Sequence, residues 1–467
     1  MTQLHSVLDP GVVLHHRCTD ARLRIRPALK DPRNPLFGED FFASPPKPWE
    51  VRIDNGYPVV LRDPDSGLYR CYYTSFSRDP GSASVSLEER RTRHYVPLGG
   101  RRTALLYAES TDGVSWTKPA LGLHLFDGSA ENNILLPGAH GASVFVDEQD
   151  PDPERRYKMV TLMDEGPGNH WMGVSWSRDG IHFVPVRRWP QHSPAADTHN
   201  FAFRDPVSGR YQVVTRIWQD GIRVAAISES TDFYEWSRPR PILATGPGAQ
   251  VYSMPVFRVR GQYVGLASIY HEGDRAAEDF DRVDLTLASA VHLSSWRLPA
   301  PEQVLVERGP GSYPDGAWDC GCIYASTPVT DDDGTTWVYY MGGNGRHTDF
   351  RETGLGRASV DPERMAYVEP VADRAAQLVL GPFNVDGPVR LLLESDDGSC
   401  VAALTDSHGV PSTPERPVSG TGWVEIPFSA EDIEAVSSAA TYVTLTFQRS
   451  RVFAIAGDIH HIRRHES

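Results

Sequence analysis

Cysteine is scarce in this chain. Its 467 residues carry five, at positions 18, 71, 320, 322 and 400, an odd number of which only Cys320 and Cys322 lie close together. That excludes a disulfide scaffold, and Cys-x-Cys alone is too little for a metal cluster. The thiols are expected to be reduced and mostly buried. Long apolar runs are also missing; none approaches the roughly 20 residues of a membrane helix, so no membrane partner is expected. The start, Met1-Thr2-Gln3-Leu4-His5, lacks the basic and then apolar regions of a secretory leader, and the chain reads as cytoplasmic. Positive charge is in deficit. With 46 Lys and Arg against 61 Asp and Glu the net charge is −15, which argues against a nucleic-acid partner and suits a small neutral or cationic ligand. No long amphipathic helix interrupts the pattern.

What the chain has is turns and short aromatic strands. Asp54-Asn55-Gly56 forms a tight polar turn, and 57–61 reads as an apolar strand. A hairpin follows, in which Asp63, Pro64 and Gly67 supply turn chemistry, and 68–73 returns as an aromatic strand. The same Arg-Asp-Pro-x-Ser-Gly-x-Tyr hairpin recurs from Arg204-Asp205-Pro206 to Tyr211. A second mark is a tail of Ser, Asp-Gly, an aromatic and Pro. It runs from Ser110 to Pro119, from Ser177 to Pro185 and from Ser230 to Pro239, more loosely from Ser289 to Pro299, and in degenerate form at 358–363. Strand pairs precede the tails, at 143–146 with 157–162, 201–203 with 211–216, 254–259 with 262–269, and 323–329 with 336–341.

Repeated all-β units of about four strands suit a propeller, whose radial packing buries the sheet faces and protects the edges. Five units predict a five-bladed β-propeller over 49–370, preceded by an irregular arm over 1–48 that packs on it. Beyond, short alternating strands without the tail predict a smaller C-terminal β-sandwich over 371–467, with one short helix near 429–437. The fold class is all-β.

Blade geometry sorts the polar residues. The start of a unit's innermost strand and its second-to-third-strand loop share one end, while the first hairpin lies at the other. Asp63 and Asp205 therefore belong to the far end as turn residues. The near end gathers Asp54 and Asn55; Asp197, His199 and Asn200; Asp315 and Asp319; Asp164 and Glu165; Arg216; His271, Glu272 and Asp274; and Arg346 and His347. No His-x-His or His-x-x-x-His pair occurs there, so neither a metal nor a cofactor is expected.

With Trp49, Asp54-Asn55-Gly56, the Asp112-Gly113-x-x-Trp116 tail and the trailing sandwich in view, the chain resembles a divergent branch of the glycoside hydrolase clan that contains family 32. That resemblance implies a five-bladed propeller with a sandwich, and cleavage of a fructan- or arabinofuranoside-like sugar, as in β-fructofuranosidases. The motifs depart from the family's. Proline is missing from the opening motif, and the Glu-Cys acid motif is absent, because Cys320 follows Asp319. The family's Arg-Asp-Pro appears only in the far-end hairpin.

Glycoside hydrolysis needs a protonated and an ionised carboxyl. Asp54 is expected to be nucleophile or base and Asp197 to orient and tune it. Glu272 is expected to be the acid, with Asp319 as the next choice. Trp49, Asn55, His199, Asn200, Arg216, His271, Arg346 and His347 are read as substrate contacts. Two alternatives stand beside this reading: a non-catalytic carbohydrate-binding propeller, and a relative that transfers the glycosyl group to phosphate or another sugar, for which Arg216, Arg346 and His347 would hold the anionic acceptor.

Overall fold

Hairpin and tail are the two halves of one four-stranded antiparallel unit. The computed structural model, which describes residues 3–166, 168–194 and 196–462, strings five such units together. In the first, Val59–Arg62, Tyr69–Arg78, Arg102–Ser110 and Trp116–Thr117 pair in chain order, with Ile134–Pro137 added against the third strand. The second is Ala139–Val146, Tyr157–Asp164, His170–Ser177 and Arg187–Arg188, and the third is Phe201–Arg204, Tyr211–Gln219, Ile222–Ser230 and Arg240–Leu243. The fourth begins at Ala249–Ser253 and the fifth at Cys322–Ala325, joined to each other by one parallel bridge from Val283 to Cys322.

Aromatic and β-branched residues face outward from both sides of each sheet, so a unit buries them only against neighbours. Separate apolar clusters lie between units one and two, two and three, and three and four. Units five and one share another, containing Val60, Tyr69, Tyr339 and Met341. There the Val60 N–H also donates to Ser326 Oγ at 2.8 Å. These contacts close the units into a ring, and the fold is an all-β propeller of repeated antiparallel sheets.

The tails are Asp turns. Asp112 Oδ1 accepts from the N–H groups of Val114 and Ser115, and Asp179 and Asp232 repeat this with Ile181 and His182 and with Tyr234 and Glu235. The next position is left-handed, at φ of 70° for Gly113 and 78° for Gly180, and a Cβ on Gly113 would lie 2.4 Å from Tyr339 Oη. Glycine is needed there for both reasons. In the third unit Phe233 takes the position at φ 66° and buries its ring in the cluster between units two and three.

The first hairpins also have a structural task. The hairpin aspartate of one unit accepts the hydroxyl of the tyrosine that opens the second strand of the next. Asp63 takes Tyr157, Asp147 takes Tyr211 at 2.8 Å, Asp205 takes Tyr263 at 2.6 Å, and Asp331 takes Tyr69 at 2.5 Å across the ring closure. Between units four and five both partners change together: the hairpin is Val259-Arg260-Gly261-Gln262, and Trp337 stands at the tyrosine position. Asp205 is 2 % exposed and also accepts from the Ser208 N–H and hydroxyl. Asp205→Ala is therefore expected to cost about 1–3 kcal/mol, the range for leaving a buried donor unpaired, with kcat unchanged. Urea unfolding and turnover on the same sample check it.

The N-terminal arm is divided between two sheets. Leu29–Lys30 and Phe37–Gly38 pair with Thr353–Val360 as the outer edge of unit five. Gln3–Ser6 and Ala21–Ile25 instead join the second sheet system, against Thr441–His461 and Ala366–Pro370. This explains the degenerate fifth tail: after Val360 the chain leaves the propeller, and the arm supplies the missing outer strand. The two long strands of the second system, Ala376–Thr405 and Thr441–His461, pair with repeated register shifts. They fold over a core continuous with units four and five, from Leu266, Leu287 and Val338 to Leu391, Leu445 and Ile455. The one helix among the described residues of this region, Ala430–Glu434, carries a capping box between Ser429 and Asp432.

Candidate active site

The five innermost strands converge on Tyr57. Its side chain is 1 % exposed, and its ring meets one ring from each of the other units: His140 at 5.4 Å, His199 at 5.9 Å, Tyr252 at 6.5 Å and Tyr324 at 6.0 Å. Tyr57 thus closes the propeller axis and gives the funnel above it a floor. The turn that delivers it is left-handed at Asp54, Gly56 and Tyr57, with φ of 58°, 67° and 42°. Asp tolerates this region; a tyrosine there is strained and persists only where its surroundings fix it. Asn55 fixes it from below, donating to Tyr57 Oη at 2.8 Å and Tyr252 Oη at 3.2 Å.

Asp54 lies beside this floor, its side chain 22 % exposed, held by Arg351 at 2.6 Å and Arg52 at 2.9 Å. Both guanidiniums are buried, at 0 % and 3 %. Arg351 also donates to Asn55 Oδ1 at 2.6 Å and to the Arg346 carbonyl at 2.9 Å, and Arg52 donates to the Asp349 carbonyl at 2.9 Å. Burial alone would raise the Asp54 pKa; Arg351 and Arg52 outweigh it and bring it down to about 2. Asp54 is an ionised carboxylate at neutral pH, fixed in direction.

Asp197 shares the funnel. It is 69 % exposed on its side chain, and His140 Nε2 lies 2.6 Å from its Oδ1. Burial raises and His140 lowers the Asp197 pKa, with Arg216 next, and the net places it below the usual carboxylate range. For His140 burial lowers the value, yet Asp197 and then Asp54 raise it overall. Both acids thus favour the charged form of the imidazole over the neutral one. His347 accepts from or donates to Tyr324 Oη at 2.7 Å, and burial followed by Arg351 brings its pKa down to about 3. His199 is 2 % exposed, its Nε2 meets no partner among the described residues, and burial alone holds it neutral, near 3. Arg216, 7 % exposed, lies over Tyr252 at 5.0 Å.

Asp54, Asn55, Asp197, His199, Arg216 and His347 are thus brought together. The remaining expected residues are not. Glu272 is at the rim, 48 % exposed, accepting Arg223 at 2.7 Å and Gln250 at 3.0 Å. His271 is bound by Asp284 at 2.8 Å and Asp279 at 3.2 Å. Arg346 is exposed, over Phe280 at 5.6 Å. Trp49 donates to Asn133 at 2.7 Å. Asn200, fully buried, donates to the Ala196 and Thr198 carbonyls. Asp319, 1 % exposed, accepts Lys30 at 2.6 Å and Tyr340 at 3.0 Å, and so ties the arm to unit five. Sequence reasoning passed over Tyr57, His140, Arg52 and Arg351, and also Trp218, 56 % exposed with Arg216 and Arg223 beneath it at 5.5 and 4.6 Å.

A further carboxyl flanks Asp54. Glu39 Oε1 accepts the Ile53 N–H at 2.9 Å, and burial pushes its pKa up to about 8. The folded value lies above the ordinary 4.5, so its effect on stability is nil below pH 4.5 and increasingly unfavourable up to pH 8. Asp54 has the opposite sign, contributing stability above pH 4 that is lost as pH falls through 2. Glu39→Gln is accordingly expected to be as stable as wild type at pH 4.5 and progressively more stable towards pH 8. Urea midpoints of both proteins across that range check it.

No family model and no curated protein matches the chain. Similar solved structures include an N-acetylgalactosamine deacetylase from F. plautii in complex with blood group B trisaccharide, 16 % identical, covering 73 % of this chain and 96 % of that one with a TM-score of 0.46. A β-1,2-mannobiose phosphorylase from Listeria innocua is 14 % identical over 72 % of this chain and 97 % of that one, TM-score 0.48. A family 32 β-fructofuranosidase from Bombyx mori is 12 % identical over 94 % of each chain, TM-score 0.42.

Proposed function

We propose that the protein cleaves a glycosidic bond over the closed axis of the propeller. The observation that carries this reading is the pairing of two unlike acid units on one funnel floor: Asp54, ionised and aimed by two buried guanidiniums, and Asp197, open to solvent with the His140 imidazole 2.6 Å behind it. Asp54 attacks the anomeric carbon or deprotonates water. The Asp197–His140 pair shares one proton and supplies it to the departing oxygen. This pair takes the acid role in place of Glu272, whose carboxylate is engaged by Arg223. Trp218 offers an exposed indole face at the rim, where a sugar ring stacks by its C–H surface. A fructan- or arabinofuranoside-like substrate is the finer form of the proposal and rests on the resemblance in Trp49 and Asp54-Asn55-Gly56.

The test is a panel of aryl furanosides and pyranosides together with short natural oligosaccharides, followed by reducing-sugar release and by binding. Cleavage of at least one member, abolished in Asp197→Asn and slowed in His140→Gln most for poor leaving groups, is the expected result. Binding without cleavage of any member would leave a carbohydrate-binding propeller instead.

A further inference from the structure

Beside the funnel lies a second cavity of about 540 Å³, within the size range of small-ligand sites. Four segments line it: the second-to-third-strand loops 79–101 of unit one, 272–282 of unit four and 344–352 of unit five, and the 312–321 stretch that leads from unit four to unit five. Each of the three loops brings arginine. Arg90, Arg91 and Arg93 come from the first, Arg282 from the second and Arg346 from the third, against two lining acids, Glu278 and Asp349. Asp349 is already occupied by His94 Nδ1 at 2.5 Å and the Tyr95 N–H at 2.7 Å. In a chain of net charge −15 this is a local reversal of sign.

Ordinary surface arginines point into water beside carboxylates. Arg91 and Arg93 are of that kind, paired with Asp315 and, at 3.1 Å, with Glu89, but Arg282 and Arg346 form no ion pair with any described residue. Arg90, among the largest fully buried side chains, is 1 % exposed. It donates one N–H to the Ser82 carbonyl at 2.9 Å, while its Nε–H finds no acceptor among the described residues. A buried guanidinium donor without a partner costs stability, and an anion in the cavity would supply one. The cavity also touches the chemistry. The 344–352 loop lines it with Arg346 and Asp349, and on its other side holds Asp54 through Arg351 and, by the Asp349 carbonyl, through Arg52.

We propose that this cavity binds the oxyanion substituent of an anionic saccharide whose sugar occupies the funnel. The inference rests on the glycosidase reading and narrows its substrate class to sugars bearing a carboxylate, sulfate or phosphate group. Guanidinium forks match all three by paired N–H donation.

Arg282→Ala/Arg346→Ala tests it, since neither residue pairs with an acid in the frame. Titrations with glucuronate, inorganic sulfate, inorganic phosphate and neutral glucose are run at constant ionic strength on wild type and the double variant. Saturable binding of at least one anion, weakened at least tenfold in the variant while glucose is unaffected, is the expected result; the anion preferred identifies the substituent. No saturable anion binding, or binding unchanged in the variant, overturns the inference. A second measurement separates it from the parent reading. If neutral glycosides are cleaved equally well by both proteins and no anionic glycoside is preferred, the anion cavity is wrong and the glycosidase stands. If anions bind through these arginines but no glycoside is cleaved, the glycosidase reading falls and the anion site remains.

Discussion

Asp54→Asn is expected to lower kcat on a cleaved glycoside by about a thousandfold or more, since it removes the charge that attacks the anomeric carbon or activates water. Asparagine keeps the size, and it tolerates the left-handed φ of 58° at this position. From the sequence alone, where Asp54 is a turn residue, thermal stability should be nearly unchanged. The structure alters that expectation. Arg351 and Arg52, 0 % and 3 % exposed, would keep their charges and lose their counter-ion. Breaking a buried pair costs 3–5 kcal/mol; with the amide oxygen still accepting and the funnel side open, about 2 kcal/mol is expected. Urea unfolding at pH 7 measures that loss, and kcat must be read where both proteins are folded. Full activity of the variant on a verified substrate would remove Asp54 from the mechanism.

Tyr57→Ala is expected to be the most destabilising single change at the floor, by about 4 kcal/mol, as for deletion of a large buried ring. One ring of each other unit would lose its neighbour at once. Tyr57→Phe keeps those contacts and loses only the hydroxyl that links Asn55 to Tyr252, for about 1 kcal/mol. The two variants separate the ring from its polar tip. If Tyr57→Ala unfolds at the same urea concentration as Tyr57→Phe, the axis is held from elsewhere.

The frame was readable because it is local. Hairpin aspartates, Asp-Gly tails and alternating strands are set by turn chemistry and period-two burial, both of which act within a dozen residues. The placement of Asp205 in a turn followed from the same logic, and its bond to Tyr263 gives the repeat a second reason that only the neighbouring unit reveals. Asp54, Asp197, Arg216 and His347 could be expected near one another because strand starts and second-to-third-strand loops face one end. His140 could not: Ala139-His140-Gly141 looks like a strand edge, and its role depends on Asp197, 57 positions later. Arg351 was obscured by Arg346 and His347 beside it, and Tyr57 read as an ordinary strand residue. Asp319 looked like a site acid because nothing in its neighbourhood announces Lys30, which comes from the arm.

That arm has a consequence for how the molecule comes into being. Leu29 and Ser359, bonded across 330 positions, are made far apart in time on a ribosome. Until the fifth sheet has left the exit tunnel, 29–38 has no edge to add to, and 3–6 waits longer still for 454–457. Sheets one to three can form as they emerge, from neighbouring hairpins. The fifth sheet and the trailing strands complete together, after most of the polypeptide exists. Nascent chains halted before 353 should therefore present an uncovered early segment to chaperones and proteases, a vulnerability that vanishes once 454–457 are clear of the tunnel.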